Sequence, residues 1–180
     1  MFNRGDHPIV VFDKEGNFLR SFGEDTFTAR AHGISVSPDG FVYCVDDSQH
    51  AVHKFTTEGK LVWTLGEVGK PAPKWSGTPF NRPTHAAVSP KSGDIFVSDG
   101  YGNSMVHRFS PEGRLLTSWG GVGCEPGEFQ HPHAIVVDAD ERVFVADREN
   151  NRVQVFDANG KVLDIWHDIY RPDGFWLDRR

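Results

Sequence analysis

Short apolar runs alternate with turn residues along the whole chain. Runs such as Val42-Tyr43-Cys44-Val45, Ile95-Phe96-Val97, Val143-Phe144-Val145 and Val153-Gln154-Val155-Phe156 are three or four residues long and rich in β-branched and aromatic side chains. Between them stand Ser37-Pro38-Asp39-Gly40, Glu58-Gly59 and Asn159-Gly160, residues that set tight turns. No stretch of ten or more residues keeps a 3.6-residue apolar period, and Gly and Pro recur too often for a helical solenoid. The pattern predicts short antiparallel strands in groups of four.

Those groups repeat. HGISVSPDGFVYCVDDSQHAVHKFTTEGKLVWTLG from His32, THAAVSPKSGDIFVSDGYGNSMVHRFSPEGRLLTSWG from Thr84 and HAIVVDADERVFVADRENNRVQVFDANGKVLDIW from His133 align, and NRGDHPIVVFDKEGNFLRSFG from Asn3 matches the second half of the unit. Equivalent aspartates at Asp46, Asp99 and Asp147 set spacings of 53 and 48 residues. A four-stranded unit of that length is one blade of an all-β propeller. The expected division is a partial blade over 1–31, blades over 32–83, 84–132 and 133–170, and the opening strand of another over 171–180. At about 50 residues per blade the chain supplies about three and a half, fewer than the four to eight that close a ring. The expectation is therefore one incomplete propeller domain, truncated within repeats or completed by a second chain, with truncation favoured.

The 38% hydrophobic content suits one buried core, and the net charge of -6 gives no field that would attract nucleic acid or anionic lipid. No run reaches the roughly 18 to 20 apolar residues of a membrane span, and MFNRGDHPIVVFD has no signal-peptide pattern. A cytoplasmic protein with no membrane partner is expected. Cys44 and Cys124 lack disulfide or metal-pair spacing and are read as free thiols.

In a four-stranded meander, residues opening strand one and residues in the loop between strands two and three share a face. The openers His32, Thr84 and His133 each precede Pro38, Pro90 and Ala139 by six residues, and the 2–3 loops contribute Arg4, Asp47, Tyr101 and Arg148. His85 stands one residue past the opener, so alternation sends it to the other side of its strand. Two imidazoles, two guanidiniums and a phenol on one rim suit an anionic substrate and a metal ion. Asp46, Asp99 and Asp147 recur in every full blade, which predicts side-chain bonds that hold turns rather than catalysis. Trp63, Trp119 and Trp166 are expected to pack between blades. His7, His50, His53, His107, His131 and His167 are placed in variable loops or on outer strands, with no role.

DRENNRVQVF at Asp147 to Phe156 is an NHL-repeat signature. More narrowly, NRGDH at Asn3, AHGISV at Ala31, VSDGYGNS at Val97, and PHAIVVD with VADREN from Pro132 resemble peptidyl-α-hydroxyglycine α-amidating lyase and its bacterial relatives, over nearly the whole chain. The resemblance implies a six-bladed propeller with a channel zinc held by three histidines. It implies cleavage of a carbinolamide carrying a carboxylate into an amide and glyoxylate. His32 and His133 match two zinc ligands, Tyr101 the catalytic tyrosine, and Arg4 and Arg148 the arginines that orient the substrate carboxylate and support the tyrosinate. The Ile34 carbonyl matches a structural calcium ligand. The third zinc histidine falls beyond this chain, and Gly102 and Val155 replace cysteines that crosslink the animal enzymes, which suits a reducing compartment. Two further readings compete: an NHL scaffold that binds a protein or peptide without catalysis, and a propeller hydrolase. Hydrolases of that kind generally use acidic axial ligands, whereas this axis carries histidine and threonine.

Overall fold

The computed structural model describes residues 1–178. Among them fourteen strands form four antiparallel sheets, each a meander in chain order. Blade 1 holds β1 (Ile9–Phe12) and β2 (Phe18–Phe22), and blade 2 holds β3 (Ala31–Val36), β4 (Val42–Asp46), β5 (Ala51–Phe55) and β6 (Leu61–Leu65). Blade 3 comprises β7 (His85–Val88), β8 (Ile95–Asp99), β9 (Met105–Phe109) and β10 (Leu115–Gly120). Blade 4 comprises β11 (Pro132–Val137), β12 (Val143–Asp147), β13 (Arg152–Phe156) and β14 (Val162–Trp166). The chain is an incomplete all-β propeller, as its repeats predict.

One turn chemistry recurs between the last two strands of every unit. Asp13, Thr56, Ser110 and Asp157 each accept a bond from the backbone N–H of a glycine three residues on, at 2.9 to 3.1 Å. These glycines, Gly16, Gly59, Gly113 and Gly160, all take positive φ, where a side chain would be strained.

Blades pack face to face through apolar layers. Ile9, Phe22, Val42, Cys44 and Phe55 join blades 1 and 2; Tyr43, Val45, Val52, Ala86, Ile95, Val97 and Phe109 join blades 2 and 3; Phe96, Val106, Ile135, Val145 and Phe156 join blades 3 and 4. Trp63 packs on the second of these layers, and Trp119 lies between Phe96 and Phe156 in the third. Trp166 meets Phe144 within its own blade and remains 45% exposed, so it departs from the expected packing between blades. Cys44 is buried and Cys124 exposed, both as free thiols.

The recurrent aspartates are fully buried and tie the connecting segments to the blades. Asp46 accepts from the backbone of Thr28, Ser48 and Gln49, Asp99 from Asn81 and Asn103, and Asp147 from Gln130, Asn150 and Arg152. His53 and His107 are not in loops or on outer strands. They are buried on third strands, where His53 bonds Gln49 and Thr64 and His107 bonds Asp99 and Ser118. An imidazole presents two polar nitrogens at opposite edges, so it can bridge a turn and a neighbouring strand at once.

At the axis the first strands β3, β7 and β11 lie side by side. Main chain comes close here: a Cβ on Gly33 of β3 would stand 2.5 Å from the Thr84 carbonyl oxygen, and one on Gly100, in the loop after β8, would stand 2.1 Å from that of Pro132. Only glycine permits either contact. Of the opening strand expected over 171–180, residues 171–178 run without ladder pairing. Residues 179 and 180 of that expectation lie outside the described residues.

Candidate active site

His32 opens β3, His133 opens β11, and Tyr101 sits in the 2–3 loop of the blade between them. The His32 Nε2 lies 2.9 Å from the Tyr101 hydroxyl and the His133 Nε2 lies 3.0 Å from the same oxygen. The two imidazole centroids are 4.8 Å apart. The structure therefore gathers three of the five side chains picked out from repeat register into one cluster.

Their outer nitrogens fix their protonation. His32 Nδ1 faces the Thr84 carbonyl at 2.7 Å and His133 Nδ1 faces the Asp173 carbonyl at 2.8 Å. A carbonyl only accepts, so both Nδ1 atoms donate, and each neutral ring turns a bare Nε2 lone pair toward Tyr101. Burial, with the His133 and Arg4 charges adding to it, pushes the His32 pKa down to about 4, against the pull of the Thr84 bond. Burial likewise lowers that of His133, with the Arg148 charge acting in the same sense. Both rings are neutral near pH 7. One phenolic proton then faces two lone pairs, and one nitrogen is left without a hydrogen.

Arg148 approaches Tyr101 from blade 4, its guanidinium carbon 5.6 Å from the ring centroid, and it also bonds Glu149 at 3.0 Å. Arg4 is exposed and reaches the Ala31 carbonyl at 3.1 Å, which sets its charge next to His32 rather than on Tyr101. His85 stays outside the cluster: its Nδ1 is 3.0 Å from the Ile135 carbonyl and its Nε2 3.3 Å from the Ile34 carbonyl.

Sequence reasoning missed a second layer. Arg30 and Arg82 both bind Asp47, whose side chain is fully buried: Arg30 through two bonds of 2.8 and 2.7 Å, Arg82 through one of 2.7 Å. Burial opposes the Asp47 charge, but the two guanidiniums outweigh it and hold the carboxyl below its ordinary pKa. Arg82 also places its guanidinium carbon 5.0 Å from the Tyr101 ring centroid. His131, read as having no role, has its ring 5.8 Å from that of Tyr101. Arg30, Arg82 and His131 occupy one repeat position, two residues ahead of His32, Thr84 and His133, and that shared offset is the signal that would have found them.

The donors fit the two metals implied by the family resemblance unequally. Two neutral imidazoles with their Nδ1 atoms anchored on carbonyls are oriented as metal ligands commonly are, and a lone pair without a proton suits a cation. Among the described residues, however, no three His, Cys, Asp or Glu side chains gather in metal-binding geometry, so zinc would find two histidine ligands here. Calcium does not fit at Ile34. Its carbonyl faces the His85 ring, and an imidazole is a poor neighbour for a hard cation that takes oxygen ligands.

Comparison with known proteins agrees with the repeat. The NHL repeat model matches residues 129–156. Peptidyl-glycine alpha-amidating monooxygenase of Mus musculus is 37% identical over 180 residues, covering 94% of this chain and 18% of that protein. NHL repeat-containing protein 3 of Homo sapiens is 34% identical over 95% of this chain and 52% of its own length. A probable peptidyl-alpha-hydroxyglycine alpha-amidating lyase of Caenorhabditis elegans is 36% identical over 83% of this chain and 43% of its own. The chain thus spans about half or less of each of these relatives. A chain in the crystal structure of a nidogen/laminin complex superposes with a TM-score of 0.71 at 17% identity, covering 96% of this chain and 61% of that one.

Proposed function

We propose that this chain, an NHL-repeat protein related to the amidating lyases and to NHL repeat-containing protein 3, carries most of the catalytic constellation of a peptidyl-α-hydroxyglycine lyase. The observation that supports this reading best is the convergence of two neutral Nε2 lone pairs on the Tyr101 hydroxyl. In the reaction the substrate O–H and C–N bonds break and a C=O bond forms. A carbinolamide gives an amide, which gains the hydroxyl proton at nitrogen, and glyoxylate.

Each side chain has a task in that scheme. Tyr101, once it has given up its own proton, is the phenolate base that takes the hydroxyl proton, and the guanidiniums beside its ring stabilise the phenolate charge that this transfer then neutralises. Arg148 and Arg4 orient the substrate carboxylate. His32 and His133 would hold zinc, which when bound acts as a Lewis acid on the substrate oxygen. The carbonyls of Thr84 and Asp173 keep both imidazoles in the tautomer that leaves Nε2 free.

The test is zinc content and glyoxylate release from an α-hydroxyglycine-capped peptide, measured on this chain and on a form extended through a complete ring. The expected result is zinc that depends on both His32 and His133, with turnover highest in the complete ring. Zinc-free protein that releases no glyoxylate in either form would leave an NHL scaffold as the better account.

A further inference from the structure

The rim carries more positive charge than one carboxylate requires. Arg148 approaches Tyr101 from blade 4, while Arg82 approaches it from the side of blade 2. Arg82 is held there by three independent constraints. Its backbone adopts φ 60°, a left-handed conformation that is costly for a residue with a side chain. Its N–H donates to His50 Nδ1 at 3.0 Å, and its carbonyl accepts from the Tyr101 N–H at 3.2 Å. Its guanidinium is fixed through one terminal nitrogen to Asp47, yet the side chain remains 43% exposed. A guanidinium has five N–H donors, so this bond positions the group without exhausting it.

Asp47 completes the arrangement. Its carboxylate is fully buried and is shared between Arg30 and Arg82. Arg30, Arg82 and Asp47 together carry one net positive charge at the blade 2 side of the rim, opposed by the Asp46 carboxylate, which is fully buried and occupied by bonds from Thr28, Ser48 and Gln49. Such a charge, fixed and solvent-facing beside the reacting group, is built for an anion.

We propose that Arg82, positioned by Asp47, binds an anionic group on the acyl side of the substrate, so that acyl groups ending in a carboxylate are preferred. This rests on the lyase reading only for the assignment of sides: Arg148 and Arg4 take the carboxylate next to the carbinol carbon, and Arg82 takes the one beyond the amide. Asp47 is a positioning residue that acts through Arg82.

The experiment compares N-succinyl-α-hydroxyglycine with N-butyryl-α-hydroxyglycine, which differ in the terminal carboxylate, by glyoxylate release under kcat and KM conditions. One charge-assisted contact is worth about tenfold. The parent protein is expected to favour the succinyl substrate by about that factor, mostly in KM. In Arg82→Met the preference falls to within about threefold, Arg82→Lys retains part of it, and Asp47→Asn loses part of it. Circular dichroism and the thermal midpoint of each variant show whether it remains folded. Equal handling of both substrates by the parent, or a preference untouched in folded Arg82→Met, overturns the proposal. Should neither this chain nor its form extended through a complete ring cleave either substrate, the lyase reading fails, and calorimetric binding of N-succinylglycine against N-butyrylglycine decides the remainder. Tighter, Arg82-dependent binding of the succinyl compound sustains an anion subsite, and equal binding rejects it.

Discussion

His32 and His133 stand on blades separated by a third, yet their ring centroids are 4.8 Å apart. That distance exists because the first strands β3, β7 and β11 crowd the axis with glycines at their contacts. The pair shares one hydroxyl between two lone pairs, and the chemistry of the site follows from that imbalance.

Tyr101→Phe removes the one oxygen among the described residues that both imidazoles bond. If Tyr101 is the proton acceptor, glyoxylate release falls by about 100-fold or more, the range typical for loss of a general base. The thermal midpoint should change little, because the hydroxyl's contacts lie on the half-exposed rim. A Phe variant that retains near-parental turnover would remove Tyr101 from the chemistry.

Stability should rise with pH between about 4 and 6.5. Burial lowers the pKa of His53 to about 4 from an ordinary 6.5, so the unfolded chain binds the extra proton across that window and the folded chain does not. The contribution is complete above the unfolded value and disappears as pH falls toward the folded one. For His53, only 2% exposed, it is on the order of 3 kcal/mol. His32, His85 and His133 shift in the same direction for the same primary reason. Chemical denaturation at pH 4.5 and 7 checks this, and His53→Gln should flatten the difference.

Arg152→Met should be among the most damaging substitutions outside the rim. Arg152 is 5% exposed, bonds the buried Asp147 at 2.7 Å, and donates to the carbonyls of Cys124, Glu125 and Glu128. Its loss removes the counter-ion of a buried carboxylate, a cost of about 3 to 5 kcal/mol, although Gln130, Asn150 and Gln154 still donate to Asp147. Urea denaturation measures it. A loss below about 1 kcal/mol would show that water or relaxation replaces the guanidinium.

Gly100→Ala should separate blades 3 and 4. Its new Cβ would need to lie 2.1 Å from the Pro132 carbonyl oxygen, next to Tyr101 in sequence and His133 in the facing strand. Overpacking of this kind costs about 1 to 3 kcal/mol. Turnover should fall further than stability alone accounts for, because His133 moves relative to Tyr101. Parental turnover in a destabilised Gly100→Ala protein would show that the cluster tolerates that displacement.

The blades were legible because strands announce themselves by alternation and turns by glycine, and because three copies in register reinforce one another. His32, Tyr101 and His133 followed from register alone, since equivalent positions in a propeller meet at the axis. Register also put Asp47 on the rim, but not its pairing with Arg82, because that pairing joins a connecting segment to a loop of the preceding blade, and periodicity says nothing of such contacts. His53 and His107 were misplaced for a related reason: a histidine within an apolar run reads as a surface residue unless its hydrogen-bond partners are known. Ile34 was matched to calcium through family resemblance, which could not show that its carbonyl lies 3.3 Å from the His85 Nε2.

The shared offset of Arg30, Arg82 and His131 has an evolutionary corollary. Blades 2, 3 and 4 each present one half-exposed residue to the mouth from a site that lies outside the apolar layers, and two of the three, Arg30 and Arg82, are tied there to the buried Asp47. Substitution at this offset would thus retune the entrance one position per blade, with Arg30 and Arg82 constrained by the buried carboxylate they neutralise and His131 outside that tie.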